Sequence, residues 1–184
     1  YFDIKIKKNW MKEYSSQEIK TALIKIGLKK GDIVFVNSEI YRLGRFNEDY
    51  KYNIFEVFLN ILKKILGKNG TICTNTYTFN TLRLKETFNH GDTKCTSGGF
   101  ANLLLNQKKV VRSNHPVYSV SAIGKHSNTI CKNNSNHNFG YNSPYHKIIN
   151  LNGKVLNLGM EPWKNPYNHV AEYLIGVPYY YNKL

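Results

Sequence analysis

Apolar residues fall along this chain in two alternating rhythms: short unbroken runs, and stripes spaced three or four residues apart. Ser15-Ser16-Gln17-Glu18 is a capping box, and behind it Ile19, Ala22, Leu23 and Ile26 repeat at helical spacing until Gly27. The run from Ile33 to Asn37 has the length of a buried strand and turns polar at Asn37 and Ser38. Open α/β sheets place their ligands at such strand ends. From about Lys51 to Leu66 the stripe Ile54, Val57, Phe58, Ile61, Leu62 and Ile65 predicts the best helix in the chain, closed by Gly67. Gly70 to Thr78 predicts a second strand with a polar end, followed by an irregular stretch through Asp92.

Thr96-Ser97-Gly98-Gly99-Phe100 opens a short helix over Ala101, Leu104 and Leu105. Val117 to Gly124 predicts a third strand. Ser143-Pro144 then starts a helix by cap and N1 proline, with Ile148, Ile149 and Leu151 facing inward. Lys154 to Gly159 predicts a fourth strand. Asn165-Pro166 starts the last helix by the same cap and proline rule. Tyr1 to Lys8 alternates like a strand, and Asn133 to Asn138 is polar enough for a mobile loop. Strands alternating with helices predict a three-layer α/β/α domain around a mixed sheet, one domain over residues 1–184.

Composition narrows the function classes. No apolar run reaches membrane-spanning length, so the chain is expected to work in the cytoplasm without a membrane partner. Cys73, Cys95 and Cys131 are odd in number and widely separated, which gives neither a disulfide framework nor a metal spacing. The formal net charge of +14 is spread along the chain and does not interleave with aromatics as in a nucleic-acid platform, so nucleic acid is not the expected partner. A module that binds anions or nucleic acid without catalysis stays as the competing class. Either way, the surface field favours anionic ligands over polycations.

His169 and Glu172 lie three residues apart on the last helix, so imidazole and carboxylate share a face and couple as a base with its orienter. A second polar element, Ser113-Asn114-His115-Pro116, stands at the start of the third strand.

The ordered succession of Gly-Asp-Ile-Val-Phe-Val-Asn-Ser, Gly-Thr-Ile-Cys-Thr-Asn-Thr-Tyr-Thr-Phe, Arg112 to Gly124, Asn142-Ser143-Pro144-Tyr145, Gly153 to Gly159 and Asn168-His169-Val170-Ala171-Glu172 closely resembles the aminoglycoside 3-N-acetyltransferases of the antibiotic N-acetyltransferase superfamily. The resemblance implies that family's own α/β fold, distinct from the common acetyltransferase fold, and acetyl transfer from acetyl-CoA to an amino group of an amino sugar or aminoglycoside. It implies His169 as general base and Glu172 as the acid beside it. Ser38, Thr76 and Thr78 match hydroxyl positions around the acetyl group and pantetheine arm of CoA, and Ser97, Gly98 and Gly99 match the turn near that cofactor. His115, Tyr141 and Asn168 match positions that touch substrate or hold the frame, and no metal is implied.

The chain departs from the family at Asn37-Ser38-Glu39, where His-Ser-Ser is usual, and at Asn75, where Pro is usual. Family members also continue past Val177-Pro178-Tyr179, so part of their C-terminal region is expected to be lacking here. The assembly is left open between monomer and homodimer. Few carboxylates follow Asp92, only Glu161 and Glu172, which favours a neutral or nucleotide-linked amino sugar over a polycationic antibiotic as acceptor.

Overall fold

The computed structural model describes residues 13–47 and 53–179; the strand expected at Tyr1 to Lys8 lies outside them. In chain order the elements are β1 (Glu13–Tyr14), α1 (Ser16–Lys25), β2 (Ile33–Ser38), a 3-10 turn (Ile40–Leu43), β3 (Arg45–Phe46), α2 (Ile54–Leu66), β4 (Thr71–Asn75), α3 (Phe79–Arg83) and α4 (Gly99–Leu105). They continue as β5 (Val111–Arg112), β6 (Val120–Gly124), α5 (Ser127–Cys131), α6 (Pro144–Asn150), β7 (Lys154–Leu158) and α7 (Tyr167–Ile175).

Five strands form one sheet in the order β5-β6-β4-β2-β7, and β1 pairs with β3 apart from it. The central β2 runs parallel to β4 and β7, whereas β6 is antiparallel to both β4 and β5. The sheet is therefore mixed, as expected. Because side chains alternate along a strand, β2 feeds two cores at once. Val34 and Val36 pack with Ile19, Leu62 and Leu104 of α1, α2 and α4. Ile33 and Phe35 face the other way, into a core with Ile130, Tyr145 and Val170 of α5, α6 and α7. That gives three layers, with the polar ends of β2 and β4 left at one edge.

The local signals were largely right. Ser15 caps α1 with the reciprocal Glu18 bond and Ser143 caps α6 with Pro144 behind it, while α2, expected from about Lys51, starts at Ile54 under an Asn53 cap that the sequence reading did not name. Other expectations are corrected. Helix α1 ends at Lys25, with Ile26 as its cap, and β4 stops at Asn75 instead of reaching Thr78. The third strand begins only at Val120, because Val117 and Tyr118 form a turn whose N–H groups both donate to His115 Nδ1, at 3.1 and 2.9 Å. Ile148 is buried as expected, but Ile149 is 43% exposed. Strand β5 and the short helices α3 and α5 carry too few residues to show a period. The segment from Asn133 to Asn138 is irregular and is tied to α5 by Asn134 Nδ2 donating to the Ile130 carbonyl at 2.8 Å.

Candidate active site

Helix α7 starts at Tyr167 with Pro166 in the cap position, one residue later than the expected Asn165 cap and Pro166 first turn. Asn165 Oδ1 accepts the Tyr167 N–H at 3.0 Å, and Pro166 already has helical dihedrals. One turn on, His169 Nδ1 lies 2.9 Å from Glu172 Oε2. An ionised carboxylate only accepts, so this contact places the neutral imidazole proton on Nδ1 and leaves Nε2 as a lone-pair acceptor. The other carboxylate oxygen accepts from the Tyr179 hydroxyl at 3.3 Å, which keeps Glu172 from swinging away. Burial and the Glu172 charge together hold the Tyr179 phenol above its ordinary pKa. About half of the His169 side chain is exposed, and its ring lies 5.2 Å from that of Phe139. Asn168 donates to the Trp163 carbonyl at 3.0 Å and so ties the start of α7 to the connection from β7.

A second feature lies at the end of β2. Ser38, Gly98 and Gly99 line one cavity of about 300 Å³, with Tyr14, Phe46 and Phe55 as apolar walls. Three of the residues expected around the CoA arm are thus brought together. Gly98 has a left-handed φ of +99°, and a Cβ built there would meet nothing within 4 Å. Gly99 is needed for another reason: a Cβ there would stand 2.3 Å from the Phe55 ring. Ser97 accepts the Tyr77 N–H at 2.8 Å and so fastens the turn before α4 to the end of β4.

Thr76 and Thr78 are fully buried. The Thr76 hydroxyl meets those of Ser119 and Ser121 at 3.2 and 3.0 Å, and Thr78 donates to the Pro116 carbonyl. Their hydroxyls brace the strand end from inside and line no cavity with Ser38. His115, whose burial pushes its imidazole pKa down, serves as a backbone acceptor at the turn before β6. Tyr141 is 64% exposed, and its ring lies 5.2 Å from that of His146.

The cleft and α7 are joined by charges that sequence reasoning missed. Arg42 Nε lies 2.9 Å from Glu39 and its Nη1 3.3 Å from Glu161, while Lys164 reaches Glu161 at 3.0 Å and Glu39 at 3.8 Å. This cluster spans the residue after Ser38 and the segment leading into α7. Only the i,i+3 spacing of Glu39 with Arg42 and of Glu161 with Lys164 hinted at it. The three cysteines are free and buried, and burial pushes the Cys131 thiol up to about 12, so none offers a thiolate. Among the described residues no group of three or more His, Cys, Asp or Glu could hold a metal, and no helix is long and apolar enough to cross a membrane.

A three-layer α/β domain around this mixed five-stranded sheet has the fold class of the antibiotic N-acetyltransferases. A family model described as aminoglycoside 3-N-acetyltransferase matches residues 35–183, and the chain belongs to that family. Among curated proteins it is 28% identical over 183 residues to the SPbeta prophage-derived aminoglycoside N(3')-acetyltransferase-like protein YokD of Bacillus subtilis strain 168, covering 88% of this chain and 65% of that one. The chain thus spans about two thirds of the length of the curated relative it matches. The solved structure of YokD superimposes with a TM-score of 0.78 at 27% identity, over 90% of this chain and 72% of that one. AAC-IIIb in a binary complex with CoASH gives a TM-score of 0.76 at 21% identity, over 89% and 66%. Apo AAC(3)-IVa gives 0.80 at 22%, over 92% and 64%.

Proposed function

We propose that this chain carries the catalytic base and donor cleft of an acetyl-CoA-dependent N-acetyltransferase acting on an amino group of an amino sugar. The observation that carries the reading is the 2.9 Å contact of His169 Nδ1 with Glu172, which leaves Nε2 exposed as a proton acceptor. The cleft at Ser38, Gly98 and Gly99 suits the donor: its walls are mostly apolar, Ser38 supplies a hydroxyl, and Gly98 leaves room for close approach. When bound, acetyl-CoA would supply a thioester carbonyl for an amine to attack. AAC-IIIb, a member of the same fold, is described with CoASH bound, which supports the cofactor.

In this reading His169 Nε2 takes the proton from the acceptor ammonium, and Glu172 fixes the tautomer and orients the ring. The Glu39–Arg42–Glu161–Lys164 cluster sets the distance between cleft and base. Transfer is direct, because each thiol is buried. The three free cysteines suit a reducing compartment such as the cytoplasm.

Charge favours a neutral or anionic acceptor. Of the two carboxylates after Asp92, Glu161 is tied to Arg42 and Lys164, and Glu172 to His169. Neither is spare for a second ammonium of a polycation. Release of free CoA, measured with aminoglycosides and phosphorylated amino sugars side by side, tests this. Gentamicin-class compounds with the higher kcat/KM would refute the acceptor assignment, and no release with any amine would refute the enzyme.

A further inference from the structure

A separate cavity of about 560 Å³ opens beside β5 and the segment leading to β6, walled on its far side by the loop between α5 and α6. That volume is in the range of small-molecule sites. Its wall holds Arg112, Lys132 and the amides of Asn114, Asn134 and Asn136, and no lining residue is an Asp or Glu.

Arg112 is the unusual member. It is 7% exposed, and it donates to the Ser119 hydroxyl at 3.0 Å and to the Thr93 and Thr76 carbonyls at 2.6 and 3.1 Å. All three acceptors are neutral. A guanidinium has five N–H donors, so these three bonds leave two uncommitted. Among the described residues no carboxylate pairs with it, although buried charges are ordinarily paired. Burial accordingly pushes its pKa down. A second group in the same wall is also unmet: Asn134 Oδ1 is buried and has no hydrogen-bond partner among the described residues. A cavity with a buried guanidinium that meets the Phe88 ring at 5.1 Å but no carboxylate among the described residues, an exposed lysine at its rim and amides between them is complementary to an anion that also carries hydroxyls.

The cavity is also connected to the base. Asn138 lines it, and the next residue, Phe139, lies with its ring 5.2 Å from that of His169. His137, in the same wall, lies with its ring tilted against that of Tyr173 of α7 at 5.4 Å.

We propose that this cavity is an anion subsite for the acceptor, seating the phosphate of a phosphorylated amino sugar between Arg112 and Lys132, with the sugar hydroxyls on the asparagine amides. The assignment rests on the acetyltransferase reading, but it is tested without transfer. Calorimetry of the whole chain, in the absence of acetyl-CoA, compares glucosamine 1-phosphate with glucosamine. The phosphate form is expected to bind at least about tenfold tighter, since a charge-assisted hydrogen bond is worth that much, and the preference should shrink as salt rises. Lys132→Glu should abolish the preference. Arg112→Gln should do the same, and if it fails to fold the Lys132 variant still decides.

Competition by inorganic pyrophosphate as strong as by glucosamine 1-phosphate would assign the anion to a diphosphate linkage, and weaker competition to a single phosphate; either supports the subsite. Equal affinity for both sugars, or an undiminished preference in Lys132→Glu, overturns it even where acetyl transfer is intact. Phosphate-dependent binding with no transfer to any amine would leave the anion site standing and remove the acetyltransferase reading instead.

Discussion

Tyr167 and Tyr145 stand against each other in the core beneath α7, and the same chemical edit should act on them in opposite directions. Their rings meet edge to face at 5.7 Å, and Tyr167 also meets Phe35 at 5.5 Å. Yet the Tyr145 hydroxyl is 2.7 Å from that of Tyr77, while the Tyr167 hydroxyl is buried with no partner among the described residues. Replacing Tyr167 with Phe keeps every ring contact and removes a desolvated hydroxyl, whose burial costs about 1–3 kcal/mol without a bond. Taking the lower end, Tyr167→Phe should stabilise by about 1 kcal/mol, which for a chain of this size raises Tm by about 2–4 °C. Tyr145→Phe breaks a buried hydrogen bond and should destabilise by about 1 kcal/mol, lowering Tm by a similar number of degrees. Thermal unfolding of both variants beside the wild type, followed by circular dichroism, gives the two signs. A fall in Tm for Tyr167→Phe comparable to that for Tyr145→Phe would refute the reasoning, because it would mean that the Tyr167 hydroxyl is bonded in solution.

Asp32 is partly desolvated, which raises its pKa, but the Lys154 ammonium at 2.7 Å and the Lys29 N–H at 2.9 Å outweigh this and hold it below its ordinary value. A depressed carboxylate stabilises above its unfolded pKa of about 4 and loses that contribution as pH falls through the folded value. Asp32→Asn should therefore lower stability at neutral pH, with the gap to wild type closing below about pH 4 in denaturant titrations; a gap that widened in acid would contradict it. Arg42→Ala removes the centre of an exposed charge cluster, so it should lower Tm in dilute buffer and lose that effect near 1 M salt, where the Debye length is about 3 Å. It should also lower kcat while leaving acetyl-CoA affinity nearly intact, whereas unchanged turnover would remove the cluster from the positioning of α7.

What could be read in the sequence was whatever rests on local chemistry. Ser15 and Ser143 cap their helices, and Asn165 accepts the first N–H of α7, because a side-chain oxygen and a following N–H are neighbours in the chain, and His169 meets Glu172 because helical periodicity brings them together. The alternation of β2 between two cores was implicit in an apolar run with no polar face. What could not be read depends on contacts between distant residues. Thr76 and Thr78 had the residue type and strand-end position of ligand contacts, but β6 arrives antiparallel and buries their hydroxyls against Ser119, Ser121 and Pro116. The Arg42 to Glu161 bond joins the turn after β2 to the connection after β7, a pairing that exists only once those strands lie side by side. Arg112 stood inside a motif already singled out, and only the fold shows that it is buried and that its hydrogen bonds among the described residues go to neutral oxygens.

The central claim is that His169 removes the acceptor's proton, and turnover by His169→Ala tests it most directly. Free CoA release with a productive amino-sugar acceptor should fall by at least about two orders of magnitude, the usual worth of a positioned base. Acetyl-CoA should stabilise that variant against heat as much as it should the wild type, since the imidazole lines no part of the Ser38 cleft. Near wild-type CoA release by His169→Ala, with the acetylated acceptor confirmed by mass, would contradict the account.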